Sequence, residues 1–394
     1  MLTYQPTPAG TSRSTVLIIG LGDTGVLVAA NLSKTFRVIA VTTRPVLLSG
    51  QELGKRLTDL EYWKSCYLTP LDAFKKLDNV EGIHGQVVAL NPEDRHAEVI
   101  DSEGNGFTVP WDYAVIASGI TNGFWRTPQI TKVDHILREL DEQNATVMSA
   151  NRIGIIGGGP SATSVAFNLA TTFPEKTVEL FFSGDEVLPG YHPDTRRYHM
   201  KALVTKGVVV HPHHRAILPA PEHRTRLKQG TVAFTSGQPS YTGDLLIWAS
   251  GAVLPNTHFL PQQMLDDAGF VRTQSDMRAF GYERVFAIGD VAATDPLRSS
   301  ARNWAYRILC KNLKLLAEGK PATHQFRPPK QRWGSIVGLQ PDGLTLHQQD
   351  GRRRRLSRWF VQAILWPWVV TRGIYGGIKR HKWTSHPQSR KERL

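Results

Sequence analysis

Apolar residues in this chain fall into short runs that end in glycine turns, and one such arrangement occurs twice. Val16-Leu-Ile-Ile leads into Gly20-Leu-Gly22-Asp23-Thr24-Gly25, and Ile153-Gly-Ile-Ile leads into Gly157-Gly-Gly159-Pro160-Ser161-Ala162. Each turn is followed by a helix-like stretch, Val26 to Ser33 and Thr163 to Ala170. A β-branched or aromatic run comes next, Arg37 to Val41 and Thr177 to Phe182. The pattern predicts strand, turn, helix and strand, written twice. A further element repeats in the same order: Tyr113-Ala-Val-Ile-Ala117-Ser118-Gly119 and Leu245-Leu-Ile-Trp-Ala249-Ser250-Gly251 are apolar strands ending in Ala-Ser-Gly. Arg284-Val-Phe-Ala-Ile-Gly289-Asp290 is a fifth strand, delivering Gly-Asp at its end, and Ser299 to Ala317 reads as the helix after it. Pro328 to Gly351 reads as hairpin-like strands of a small last domain.

The glycine spacing carries chemistry. In a G-x-G-x-x-G turn the first glycine permits the tight bend and the second lets backbone approach a pyrophosphate. The third, here Gly25 or the small Ala162, lets helix and strand pack closely. The free N–H groups and positive end of the helix then receive the diphosphate. Small residues at Ser118, Gly119 and Gly251 let the chain pass close to a nucleotide. A carboxylate at Asp290 suits a ribityl chain, and Gly289 permits close approach. Amides at the start of the following helix would stabilise negative charge on a reduced flavin.

Charge changes the picture only at the C-terminus. The formal net charge is +13, but residues 351–394 carry twelve Lys or Arg against one acid, so the preceding chain is nearly neutral. Within that tail, Arg352 to Arg355 precede an aromatic stretch with Trp359, Trp366 and Trp368. The apolar part, Phe360 to Val370, includes Gln362 and Pro367 and is too short to span a bilayer. Such a segment suits the interface of an anionic membrane; a packed helix with a solvated basic end is the alternative, and nucleic acid is the least favoured partner. The Pro- and Thr-rich start, 1–14, reads as a flexible leader without the features of a secretory signal. Cys66 and Cys310 form no CxxC pair, so a local thiol relay is excluded. His211-Pro-His213-His214 reads as an exposed strand exit, not a metal site. No G-x-S-x-G, HExxH or Walker lysine motif supports a hydrolase or NTPase.

The five elements, in their order from Thr15 to Lys320, resemble the two-dinucleotide-binding-domain flavoproteins. They are most similar in flavour to type II NADH dehydrogenases and apoptosis-inducing-factor-like, ferroptosis-suppressor-like quinone reductases. The resemblance implies an α/β fold of two Rossmann-like domains, of three-layer ββα/βα type, with a small C-terminal domain. Residues 15–122 and 241–327 would form an FAD domain around an NAD(P) domain at 123–240. Residues 328–394 would form a C-terminal interface domain with the membrane-facing tail. FAD would meet Gly20, Gly22, Asp23, Thr24, Gly25, Ser118, Gly119, Gly289 and Asp290. The nicotinamide nucleotide would meet Gly157, Gly159, Pro160, Ser161, Ala162, Ser183 and Gly251. The implied reaction is hydride transfer from NADPH or NADH to FAD, then electron transfer to a quinone-like acceptor. Asn303 and Trp304 would shape the acceptor side. The enzyme would be peripheral to a membrane, on its cytoplasmic or organellar matrix side, and a homodimer is compatible with it. A soluble intermediate or dioxygen as acceptor, and a flavin-binding regulatory protein, are the alternatives.

Three departures from that pattern stand out. The second strand of the first module ends Thr42-Thr43-Arg44 where relatives place a ribose-binding acid, so Thr42 or Thr43 would bond the ribose, while Arg44 would meet a phosphate or stack on adenine. The equivalent strand of the second module ends Phe182-Ser183-Gly184. Lack of an acid there removes the obstacle to a 2′-phosphate and favours NADPH, although no arginine clamp is evident. Finally, Ala162-Thr163-Ser164 stands where relatives often carry Gly-Val-Glu.

Overall fold

Why the first apolar run forms a buried strand is visible in its alternation. Val16 and Ile18 face one core with Val26, Val28 and Leu309, while Leu17 and Ile19 face another with Phe259 and Met264. A strand covered on both sides has no polar face, which is the sequence character of a parallel sheet. The computed structural model describes residues 13–123, 127–251, 253–294, 304–328 and 334–381.

In the first sheet Thr15–Ile19 lies between Arg37–Thr42 and Tyr113–Ile116, parallel to both, with Val16 opposite Val38 and Tyr113. Val80–Asn91 extends the sheet beyond Arg37–Thr42, and His96–Asp101 and Gly106–Pro110 continue it antiparallel. The opposite edge is Val285–Ala287, which returns from far along the chain to pair with Tyr113–Ile116. The second sheet runs Val209–His211, Thr177–Phe181, Arg152–Ile156, Tyr241–Trp248 in parallel, closed by antiparallel Lys228–Val232. This is the expected α/β architecture of two Rossmann-like units. One boundary moves. Tyr241–Trp248 belongs to the second sheet, so the division expected at 240/241 cuts through it. The chain crosses back where Leu254–Pro255 pairs with Ile120–Thr121.

The two units meet where helix Leu53–Thr58 crosses helix Pro160–Thr172. Contact is close because Gly54 has no side chain: a Cβ there would lie 2.5 Å from the Ser164 carbonyl oxygen. The C-terminal sheet, Leu339–Gln340, Gly343–His347 and Arg353–Leu356, seals this joint. Asn168 donates to the Val337 carbonyl at 3.0 Å, and Gln340 donates to Asn168 at 3.1 Å. His199, on helix Pro193–Thr205, and His347 place their Nε2 atoms 3.2 Å apart.

Part of the basic aromatic tail packs against the body of the protein. Arg353–Leu356 is the third strand of the C-terminal sheet, because a ladder with Gly343–His347 satisfies its backbone. The helical segment Arg358–Phe360 continues into the π-type helix Val361–Ile374, which contains Pro367. Trp366 turns inward and meets Tyr67 edge-on at 5.0 Å, so it is a packing residue, as the packed-helix alternative requires. Tyr375 packs on Phe74, and Lys379 donates its backbone N–H to Ala73. No helix among the described residues is long and apolar enough to cross a membrane.

Candidate cofactor site

A cleft of about 780 Å³ opens at the ends of the parallel strands of the first sheet. Gly20, Gly22, Asp23, Thr24, Thr43, Arg44, Ser118, Gly119, Gly289 and Asp290 all line it. Such a position, outside the carboxyl ends of parallel strands, is where open α/β sheets bind nucleotides.

The glycines show why the turn needs its spacing. Gly20 has φ +99°, and a Cβ on it would lie 2.5 Å from the Ala117 carbonyl oxygen. Gly25 does not line the cleft; it lies beneath the turn, where a Cβ would fall 1.9 Å from the Gly20 oxygen. At Gly22 and Gly119 a Cβ would meet nothing within 4 Å, so both present bare backbone to open space. The second module reproduces this arrangement. A Cβ on Gly157 would strike the Ala249 oxygen at 2.2 Å, whereas Gly159 and Gly251 face open space and Ala162 is fully buried beneath them. Both turns therefore leave a tight, side-chain-free ledge beside the start of a helix, the shape a diphosphate requires. In the second module Pro160 occupies the first helical turn and also reaches the main cleft.

Several polar groups have duties that the sequence could not disclose. The Asp23 carboxylate accepts from the Ser49 hydroxyl at 2.8 Å and the Gly50 N–H at 3.2 Å, so it clasps a neighbouring loop to the turn. The Ser118 hydroxyl donates to the Asn256 carbonyl at 2.7 Å, and Asn256 donates back to the Ser118 carbonyl at 3.0 Å. Ser118 thus fixes the returning chain. Thr42 uses its hydroxyl on the Arg44 carbonyl, leaving Thr43 as the neighbouring hydroxyl on the cleft wall. Arg44 donates to the Thr127 carbonyl. Gln51, Gln86, Tyr191, Asn256 and His258 also line the cleft; they lie outside the repeated motif, and only folding assembles them.

Some expected neighbours are placed elsewhere. Asn303 lies outside the described residues. Trp304 does not line the cleft; it is exposed, has φ 69°, and stacks against the Arg307 guanidinium at 3.7 Å. The described helix starts at Ala305, so the amides expected from residue 299 are not among those described. Ser183 lies on the surface at the tip of its strand, apart from the main cleft.

Beside the cleft, Glu52 occupies the left-handed region at φ 47° and points its carboxyl into the joint with the C-terminal sheet. It accepts from the Leu339 N–H at 3.1 Å, and its Oε2 is buried without a hydrogen-bond partner. Burial pushes the carboxyl up to about 7, against the opposing pull of the Leu339 N–H, the Tyr67 hydroxyl and Lys55. Burial also pushes the Cys66 and Cys310 thiols up to about 12, which suppresses the reactive thiolate.

Two stacked Rossmann-like units with paired glycine ledges define a nucleotide-dependent flavoprotein, and the chain belongs to the pyridine nucleotide-disulphide oxidoreductase family, whose model matches residues 7–307. FAD and NAD(P)H are its cofactors. Oxidoreductase ptaL of Pestalotiopsis fici is 30% identical over 248 residues, 61% of this chain and 63% of that protein. Apoptosis-inducing factor homolog A of Dictyostelium discoideum is 24% identical over 363 residues, 84% and 85% of the two chains. A solved water-forming NADH oxidase from Lactobacillus brevis, bound to NADH, superimposes with a TM-score of 0.63 at 18% identity, covering 85% of this chain and 75% of the other. The described ledges fit the expected cofactors: the first would hold FAD along the large cleft, the second the nicotinamide nucleotide.

Proposed function

We propose that this NAD(P)H-dependent flavoprotein reduces a quinone held in a membrane, docking on the bilayer through its C-terminal helix. When bound, FAD supplies the two-electron relay between nicotinamide and acceptor. The chain's own part is placement. Gly22 and Gly119 admit one dinucleotide, Gly159 and Gly251 the other, and Pro160 brings the second module to the edge of the first cleft. Fixing both in one geometry is the main requirement of hydride transfer. Neither thiol supports a disulfide relay, because Cys310 is buried, Cys66 half-buried, and both are held protonated. That supports electron delivery to an external acceptor.

The observation that carries the membrane reading is the outer face of the C-terminal helix. Trp359 is 68% exposed and Trp368 58%, with Phe360, Ile364 and Val369 also exposed. Arginines border this face: Arg358 at the helix start, and Arg372, whose guanidinium lies 4.7 Å from the Trp368 ring. Apolar surface beside basic residues suits insertion into an anionic interface, with about 1 kcal/mol for each basic residue near the surface.

The test is co-sedimentation of the flavin-loaded protein with phosphatidylserine-containing vesicles across a salt series, beside turnover with quinone in vesicles and in solution. The expected result is binding that weakens with salt but persists in part, and faster turnover of the vesicle-held quinone. Replacing Trp359 and Trp368 with Ser removes the salt-resistant part. Protein that stays in the supernatant at low salt, or turnover indifferent to vesicles, overturns the reading in favour of a soluble acceptor such as dioxygen or a biosynthetic intermediate.

A further inference from the structure

The second module has no acid at Ser183 itself, yet an acid two residues on and a histidine from the turn after the neighbouring strand meet at that point. In a Rossmann unit the tip of the second strand meets the adenosine ribose, where an acid binds a free 2′-hydroxyl and a cation accommodates a 2′-phosphate. Here the tip is Phe182-Ser183-Gly184, following Thr177–Phe181. The neighbouring strand Val209–His211 leads into a turn that lies directly against it. His214 donates its backbone N–H to the Phe182 carbonyl at 2.9 Å, and His213 donates its own to the Gly184 carbonyl at 3.2 Å. His213 adopts φ 60°, and Gln238 donates to its carbonyl at 2.9 Å, which fixes the turn. Its imidazole Nε2 lies 3.5 Å from the Asp185 carboxylate, and both side chains are exposed.

Three neighbouring side chains, Glu186, His211 and His214, have stronger partners. Glu186 is bonded to Arg196 at 3.1 Å. His211 is bonded to Glu179 at 2.9 Å and stacked on Phe181, while His214 bonds the Pro212 carbonyl. Asp185 and His213, by contrast, meet at the outer limit of a contact in water, where such a pair is worth little and separates readily.

We propose that Asp185 and His213 together read the 2′ position of the nicotinamide nucleotide, the carboxylate accepting from the free hydroxyl of NADH and the imidazole donating to the 2′-phosphate of NADPH. The Ser183 hydroxyl, lacking charge, excludes neither. The pair makes the enzyme accept both donors, and each half sets one of the two affinities. His213 was not evident at the strand tip from local sequence, since it is thirty positions from Ser183, whereas Asp185 is two positions from it.

The experiment is equilibrium titration of the flavin-loaded protein with NADPH and NADH, and with adenosine 2′,5′-bisphosphate and AMP, which probe the 2′ group without hydride transfer. The wild type is expected to bind both nucleotides within about tenfold of each other. His213→Gln should weaken NADPH and the bisphosphate about five- to tenfold, leaving NADH and AMP unchanged. Asp185→Asn should weaken NADH and strengthen NADPH, and His213→Arg should strengthen NADPH beyond the wild type. Flavin content and the flavin spectrum, unchanged across the variants, report intact folding. Variants that keep their flavin but shift NADH and NADPH equally, or shift neither, overturn the proposal.

Discussion

The buried carboxyl of Glu52 gives a stability prediction whose size follows from its surroundings. Its proton affinity is raised from the ordinary 4.5 to about 7, chiefly by burial. At about 1.4 kcal/mol for each tenfold change in proton affinity, that difference amounts to about 3 kcal/mol. The sign follows from which state keeps the proton. Between pH 4.5 and 7 the unfolded chain releases it while the folded chain holds it, so folding stability falls across that window and levels off above pH 7. Glu52→Gln cannot ionise, and its amide oxygen retains the acceptor for the Leu339 N–H. Its amide nitrogen replaces the unpartnered Oε2, at a roughly pH-independent cost of about 1–3 kcal/mol. The quantity to measure is therefore how the stability difference between variant and wild type changes with pH. It should shift in the variant's favour by about 3 kcal/mol from pH 4 to pH 8, seen as a relative gain of several degrees in Tm. Differential scanning fluorimetry at saturating FAD gives the comparison, with occupancy held constant because bound cofactor itself adds stability. A difference that stays constant from pH 4 to 8 refutes the reasoning, since it would mean that the carboxylate ionises in the folded state as readily as in the unfolded one.

Three further outcomes follow from the described geometry. Gly25→Ala forces a Cβ against the Gly20 carbonyl, so the purified variant should retain little FAD by absorbance and acid-release chromatography, whereas Gly22→Ala, which meets open space in the ledge itself, should lower FAD affinity while keeping the fold by circular dichroism. Burial depresses the proton affinities of His199 and His347 to about 3 and about 4, so both imidazoles are neutral when folded. The pair's contribution is present above pH 6.5 and is lost as pH falls toward those values; in His347→Leu the acid limb of a Tm-against-pH curve should be shallower. Native protein should show no rapidly reacting thiol with a disulfide reagent and two after denaturation; a fast thiol in the native state would contradict the protonated state of half-buried Cys66 and buried Cys310.

Much of the fold was legible because the repeated elements obey local rules. Val16 to Gly25 and Ile153 to Ala162 encode strand, turn and helix in residues that touch one another, and Gly-Asp at 289–290 marks a strand end without knowledge of its neighbours. What stayed hidden depends on contacts distant in sequence. Tyr241–Trp248 could be read as a strand, but which sheet it joins is decided by pairing with Arg152–Ile156. The arginine run at 352–355 suggests part of a membrane-interface segment, and composition cannot reveal that the backbone of Arg353–Leu356 pairs in a ladder with Gly343–His347. Trp366 and Trp368 are two residues apart in one aromatic motif, yet one packs on Tyr67 and the other is exposed. Ser118 lines the cleft, but that its hydroxyl donates to the Asn256 carbonyl, 138 residues away, is decided by the fold.

The return of Val285–Ala287 to the first sheet bears on how the protein is made. Until that strand emerges from the ribosome, the edge of Tyr113–Ile116 has no partner, although the rest of the first sheet has already been synthesised. About 170 residues separate the two strands, roughly 10–35 s of elongation at 5–20 residues per second. An apolar edge open for that long is a template for pairing with another chain. The nascent first module therefore has the greatest need of chaperone cover until then, and its cleft is incomplete over the same interval, because Gly289 and Asp290, which line it, arrive with the missing strand.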